Sequence, residues 1–232
     1  MTPGKGRLPS LSAALAGIPA GIQTVGPWSG RRQLMVRFAV EAETATIYTA
    51  DALRGELTRL SARSHYHSVA IVGGDALAEH EFLEKTFNPA GALPLMIDHD
   101  GQRPESLYGL MDVLALMQVT MDGAEGAPAV ERVCTSIDIA ARKQIAHAVA
   151  IVPDTSLGDA PLLRIVEQVH EASEASQVVV HPVVDRSPEQ DRRWVHWLER
   201  AMAVHGDVRI LPRWPLNMRV PNDQETRNAH SG

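Results

Sequence analysis

Runs of apolar residues of strand length alternate along most of the chain with segments whose apolar residues recur at helical spacing. This alternation is typical of repeated strand–helix units that build a parallel sheet. Several of the runs are apolar throughout, as expected for parallel strands covered on both faces. The pattern predicts seven strands, over 34–39, 68–72, 93–97, 115–121, 146–152, 177–181 and 208–211.

The segments between these strands carry helix signals. Thr49 and Asp159 stand where N-caps are expected, and Pro161 follows in a first turn, where proline is favoured. Apolar stripes such as Leu53 and Leu57 predict the faces that pack on the sheet. The predicted helices are 50–62, 76–87, 104–113, 128–143, 160–172 and 188–205.

Seven strands with intervening helices predict one α/β domain. We expect a parallel β/α barrel of the partial TIM type with about six to seven strands. A doubly wound open sheet is the alternative, because the sequence does not reveal whether the sheet curls. The predicted domain covers 26–216, between an N-terminal extension, 1–25, and a C-terminal tail, 217–232, which are polar or rich in glycine and proline.

Composition narrows the classes of partner. The net charge of −6 provides no global basic field, so we expect no nucleic-acid partner. No apolar run approaches the ~20 residues that cross a bilayer, so we expect no membrane association. The only cysteine, Cys134, excludes an all-cysteine metal or iron–sulfur site within one chain and fits a cytoplasmic location.

Short motifs follow one another in a fixed order on successive predicted strands. They read Thr-Val-Gly-Pro-Trp-Ser-Gly, Val-Arg-Phe, Gly-Gly-Asp-Ala-Leu and Val-Thr-Met-Asp-Gly, at 24–30, 36–38, 73–77 and 119–123. In order and spacing they resemble radical SAM enzymes of the 7-carboxy-7-deazaguanine synthase type, over roughly residues 23–213.

The resemblance implies a partial β/α barrel, but one part of the family pattern is missing. In those enzymes a Cys-x-x-x-Cys-x-x-Cys loop after the first barrel strand holds an iron–sulfur cluster, and here only residues 40–42 stand there. We therefore expect no iron–sulfur cluster. The family motif matched by 73–77 contacts S-adenosylmethionine, so this molecule is a candidate ligand, of low expected affinity without the metal that chelates it.

In a β/α barrel, functional side chains sit where strands end. These positions give a predicted ligand-binding set, Arg37, Gly73, Gly74, Asp75, Thr120 and Arg213. Carboxylates and imidazoles there would suit Mg²⁺, Mn²⁺ or Fe²⁺. They form a predicted metal set, Asp98, His99, Asp100, Asp122 and His181. The opposing interpretation is that Asp98 and Asp122 only stabilise turns before glycines.

Three hypotheses for function follow. The first is a cluster-free radical SAM-like protein, either a pseudoenzyme or a repurposed binding protein for a small polar ligand that resembles a purine, a pterin or S-adenosylmethionine. The second is a divalent-metal-dependent hydrolase, isomerase or lyase. The third is a non-catalytic subunit that forms a homodimer or partners an active radical SAM enzyme, through the tryptophans at 28, 194, 197 and 214.

Overall fold

The computed structural model describes residues 11–124, 126–153, 157–184 and 192–213. Within them the chain is α/β, and ten strands form one mostly parallel sheet. The strands are β1 Ser12–Gly17, β2 Ala20–Ile22, β3 Arg32–Phe38, β4 Thr46–Thr49, β5 Ser68–Val72, β6 Leu95–His99, β7 Leu114–Met121, β8 His147–Ile151, β9 Gln177–Val180 and β10 Val208–Ile210.

Five α-helices and two 3-10 helices connect the described strands. The α-helices are α1 Ala50–Ser61, α2 His80–Phe87, α3 Ala127–Arg142, α4 Asp159–Ala172 and α5 Arg192–Met202. The 3-10 helices are Ala76–Glu79 and Pro104–Leu110. Two predicted helices are therefore corrected: 76–87 begins as a 3-10 turn, and 104–113 is a 3-10 helix that Arg103 enters with a left-handed φ of 53°.

All seven predicted strands are confirmed, and they are neighbours in chain order. The path runs β10-β9-β8-β7-β6-β5-β3, and every pair along it is parallel. Beyond β3 the sheet continues antiparallel through β1 to β4, and β2 also pairs antiparallel with β3. Residues 12–22 of the predicted N-terminal extension thus belong to the sheet, whereas the predicted tail 217–232 lies outside the described residues.

Side chains at alternate positions of the parallel strands form the main core with the helices. Val36, Ile71, Ile97, Val119 and Val149 come from the strands, and Leu53, Val133, Val166 and Trp197 from the helices. The opposite face of the sheet carries a smaller apolar cluster, Met96, Leu116 and Ala148, beside buried polar residues such as Gln33 and Gln118. Because strand side chains alternate, each strand contributes to both faces.

Local interactions set the helix boundaries. The Thr49 hydroxyl accepts a hydrogen bond from Ala52 N at 3.2 Å, as predicted for an N-cap. Asp159, in contrast, is the first residue of α4 rather than its cap, which is Gly158. Its carboxylate accepts a hydrogen bond from Arg193 Nε of α5 at 2.8 Å, so it joins two helices instead. None of the described helices combines the length and apolar character needed to cross a membrane.

Substitution of Phe82 in α2 tests the packing of the main core. Its ring is buried, with its centroid 6.3 Å from that of Phe38 on β3 in an edge-to-face arrangement. We expect Phe82→Ala to lower the free energy of unfolding by about 3–5 kcal/mol, because the lost contacts leave a cavity. Tyr108→Ala removes an exposed ring and should change it by no more than about 0.5 kcal/mol. Denaturant titrations compare the two, and equal losses would contradict this packing.

Candidate functional site

Two predicted site residues from neighbouring strands meet where β6 and β7 end. The Thr120 hydroxyl donates a hydrogen bond to Asp98 Oδ1 at 2.6 Å. Gln118 Nε2 in turn donates to Thr120 Oγ1 at 3.1 Å. In the register of the sheet Asp98 lies opposite Gln118, so these groups form one polar row across the two strands.

The Asp98 carboxylate is the one acid of this row, and its surroundings disfavour its charge. Burial raises its pKa to about 6, although hydrogen bonds from Thr120, Gln118 and Gln23 act in the opposite direction. No arginine or lysine of the described chain forms an ion pair with it. The charged form of Asp98 therefore costs stability near neutral pH.

Residues 23–31, which we call the covering segment, connect β2 to β3 across the face of the sheet that packs against none of the described helices. Its ends are joined by Gln23 N to Arg31 O and Gly30 N to Gln23 O, at 2.9 and 2.8 Å. Trp28 packs on Met96, Leu116 and Ala148 from three strands. The segment therefore supplies the second cover that a parallel sheet needs.

Gly26 attaches the covering segment to His181, the residue that follows β9. Its backbone N–H donates to His181 Nε2 at 2.7 Å, while Nδ1 of the same ring lies 3.0 Å from Leu211 O. The buried imidazole is thus a neutral bridge that accepts at Nε2 and donates at Nδ1. Burial is the main cause that lowers the pKa of His181, and nearby Arg213 adds to it.

Gln118 lies directly beneath Gly26. Its side chain is fully buried, and Oε1 has no hydrogen-bond partner among the described residues. A Cβ built on Gly26 would stand 1.8 Å from this oxygen, so only glycine allows the segment to come so close. The row thus has a net shortage of N–H donors, and of its two acceptors without a full set of partners Gln118 Oε1 is enclosed whereas the Asp98 carboxylate is half-buried.

The predicted metal set is not brought together. His99 follows Asp98 directly, so it points to the opposite face, where its Nε2 lies 3.3 Å from Met117 Sδ and burial lowers its pKa to about 4. Asp100 accepts from Gln102, and Asp122 from Ala124 N at 2.8 Å, so both stabilise local turns. Within the described ranges no three His, Cys, Asp or Glu side chains are grouped as a metal site.

The remaining ligand-set residues lie at strand ends but are engaged elsewhere. Arg37 forms an ion pair with Glu43 at 2.8 Å. Asp75 accepts from Ala78 N and pairs with Arg103 Nε at 2.7 Å. The main chain of Arg213 bonds to Pro182 O, and its side chain is exposed.

Gly73 and Gly74 are required by geometry. Both adopt positive φ, 76° and 48°, and a Cβ on either would approach the carbonyl oxygen of Phe38 or Ala39 to 3.1 Å. The pair therefore packs the end of β5 closely against the end of β3.

A cavity of about 420 Å³ lies at the other edge of the sheet, where β5 and β6 begin. The hydroxyls of Thr58, Ser61 and Thr86 on its wall donate to carbonyls of their own helices. None of the predicted site residues lines it. The candidate site is therefore the polar row and not this cavity.

Sequence reasoning missed Gln23 and Gln118. A glutamine in a strand, 114–121, that is apolar apart from Thr120 is a signal that could have indicated Gln118. No protein-family model matches the chain, and no curated protein matches its sequence.

Gly26→Ala tests the covering segment, with Gly30→Ala as the matched control. Both glycines have a left-handed φ, 79° and 83°, but only at Gly26 would a methyl group collide with another side chain. We expect about 1 kcal/mol of destabilisation for Gly30→Ala from φ alone and about 2–4 kcal/mol for Gly26→Ala. Denaturant titration measures both, and equal effects would contradict the contact with Gln118.

The Asp98→Asn substitution tests how much the charged carboxylate lowers the free energy of unfolding. A folded-state pKa raised from 3.8 to about 6 favours folding below pH 3.8, and this contribution is lost as the pH rises through 6. At about pH 7.5 the variant should therefore be more stable than the wild type by about 1–2 kcal/mol. Below about pH 4 the difference should vanish. Unfolding curves of the wild type and the variant are measured at each pH, so that the contribution of the histidines cancels in their difference. A difference in the free energy of unfolding that does not change with pH would contradict the raised pKa of Asp98.

Proposed function

We propose that the protein binds a small polar ligand with N–H donors, of the purine or pterin kind, at the ends of β6 and β7. The observation that carries this proposal is Asp98, a half-buried carboxylate held by a hydroxyl and amides but by no described cation. Carboxylates whose pKa is raised by burial concentrate at functional sites. A group that costs stability in the free protein gains a partner when an N–H ligand binds.

The donor and acceptor balance of the row supports this ligand chemistry. Thr120 O–H is used on Asp98, Gln118 Nε2 is used on Thr120, and Gln118 Oε1 is enclosed beneath Gly26, so the acceptor left for a ligand is the Asp98 carboxylate. Adjacent ring N–H and amino groups of a purine or pterin would pair with its oxygens as charge-assisted hydrogen bonds. An anionic ligand would instead be repelled by Asp98.

We propose, further, that the sheet curls into a partial β/α barrel of the radical SAM-like kind. Seven parallel strands in unbroken chain order support this, because a doubly wound sheet reverses its strand order at a switch point. The polar row would then face the barrel interior. The cluster-free interpretation rests on the sequence, which has one cysteine, at 134.

S-adenosylmethionine is less well supported as the ligand. The residue expected to receive its amino group, Asp75, already accepts from Ala78 N and pairs with Arg103. That ion pair would have to break first.

No contact among the described residues supports the metal-dependent enzyme or the non-catalytic subunit. The metal set is scattered, as described above. Of the four tryptophans expected at an interface, Trp194 and Trp197 are buried in the core, and Trp214 lies outside the described residues. Trp28 packs on the sheet.

Ligand binding by the full chain tests the proposal. We expect pterin or guanosine to raise the melting temperature and to bind measurably in calorimetry at about pH 7.5. Asp98→Asn and Thr120→Val should weaken binding about tenfold to a hundredfold, because charge-assisted hydrogen bonds contribute about 1.5–3 kcal/mol. Asp100→Asn, two residues along on an exposed side chain, is the matched control and should bind as the wild type does.

Three results would contradict the proposal. One is that neither compound nor S-adenosylmethionine binds at millimolar concentration. Another is that Asp98→Asn binds as tightly as Asp100→Asn. The third is that affinity does not fall as the pH drops below about 6, where Asp98 takes up a proton.

A further inference from the structure

Basic and aromatic side chains converge where β3 and β5 begin, which is the end of the parallel strands opposite the polar row. Residues 31–32 enter β3 there and residues 63–67 enter β5, and we call these two segments the arginine edge. His67 N donates to Arg32 O at 2.8 Å, and Arg32 Nη1 donates to Ser64 Oγ at 2.6 Å, so the two segments are adjacent. Arg31, Arg32, Arg63 and His65 are all exposed.

The arginines of this edge differ from those arginines of the described residues that are paired with acids. Seven arginines form ion pairs with acids, Arg37, Arg54, Arg59, Arg103, Arg142, Arg193 and Arg209. Arg31, Arg32 and Arg63 form none within the described residues. Glu56, an acid that interacts electrostatically with Arg63, is paired with Arg59. The edge is therefore a concentration of positive charge in a chain whose net charge is −6.

Neighbouring groups fix the orientation of the Arg32 guanidinium. Its guanidinium lies 4.6 Å above the centroid of the Tyr66 ring, and Nη1 is fixed by Ser64 Oγ and by His65 O. The Nε and Nη2 donors have no partner among the described residues. This free side of a planar fork matches two oxygens of a phosphate group, and stacking reduces the entropy lost on binding.

Aromatic rings lie between and beside these charges. Tyr66, His67 and Trp28 are half-buried, and the Trp28 and His67 rings meet edge to face at 4.7 Å. Guanidinium groups interleaved with rings suit a strand in which phosphates alternate with bases. An acidic peptide would pair with the arginines but would leave the rings unused.

We propose that the arginine edge binds single-stranded nucleic acid, with phosphates on Arg31, Arg32 and Arg63 and bases against the neighbouring rings. This departs from the expectation drawn from net charge, which averages over the whole surface. At ~0.1 M salt, charges beyond about 10 Å are screened, so the local edge dominates over the distant acids. The proposal does not rest on the ligand site at Asp98, which lies at the other edge of the sheet.

Fluorescence anisotropy of the full chain with a labelled oligothymidylate of about twelve nucleotides tests it, at salt concentrations from about 50 to 200 mM. Three phosphate contacts predict a slope of log K against log salt near −2, from about −0.7 per contact. Arg32→Ala and Arg63→Ala should each weaken binding about threefold to tenfold and reduce the slope by about 0.7. Arg209→Ala on β10 removes the same charge from the far end of the sheet and should change affinity less than about twofold.

Three outcomes would overturn the proposal, provided that melting temperatures show every variant to be folded. The first is no binding at about 50 mM salt. The second is equal weakening by Arg209→Ala, which would indicate diffuse attraction. The third is equally tight binding of an oligoglutamate of the same charge, which would indicate an acidic protein partner.

Discussion

The hydrogen bond from Gly26 N to His181 Nε2 holds together the side of the sheet that no described helix covers. A mainly parallel sheet must be covered on both faces, and here the helices cover one. The other is covered by residues 23–31, a short segment without regular structure that has few apolar side chains of its own. Without the attachment just after β9 it would be joined to the sheet through the β2–β3 hairpin, Trp28 and the contact of Gln23 with Asp98. Its position determines how deeply Gln118 is buried and brings Gln23 to Asp98.

This cover also sets the electrostatics of the row beneath it. Excluding water disfavours charge, so the pKa of Asp98 rises while the pKa of His181 falls. For His181 neutrality is useful, because a protonated Nε2 could not accept from Gly26. For Asp98 the same environment is a cost that no described cation offsets. The same exclusion of water would strengthen a hydrogen bond from a ligand to Asp98.

The parallel strands could be predicted from the sequence because most of them contain a run of apolar residues, such as 69–72 in β5. β1 escaped prediction because its residues, Ser12–Gly17, are mostly alanine and glycine, which have little preference for strands. The turn roles of Asp100 and Asp122 were hard to separate from ligand roles, since both use the same oxygens. The opposite orientation of Asp98 and His99 follows from strand alternation and was accessible in principle. The contact between Gly26 and His181 was not, because 155 residues separate them and no local pattern encodes it.

The end of β3 bears on which side chains are available to a ligand at the row. Residues 40–43 form a turn that satisfies itself: Glu43 pairs with Arg37, and Val40 N donates to Glu43 Oε2 at 3.3 Å while Val40 O accepts from Glu43 N. Ala42 reaches a left-handed φ of 69° to close it, a conformation that costs roughly 1–2 kcal/mol for a residue with a Cβ. Because Arg37 pairs with Glu43 within this short turn, its side chain stabilises the turn and is not available to a ligand. The groups left to meet a ligand are then Asp98 and Thr120, a pair that can hold a molecule by hydrogen bonds. This arrangement supports the proposed binding of a small polar ligand.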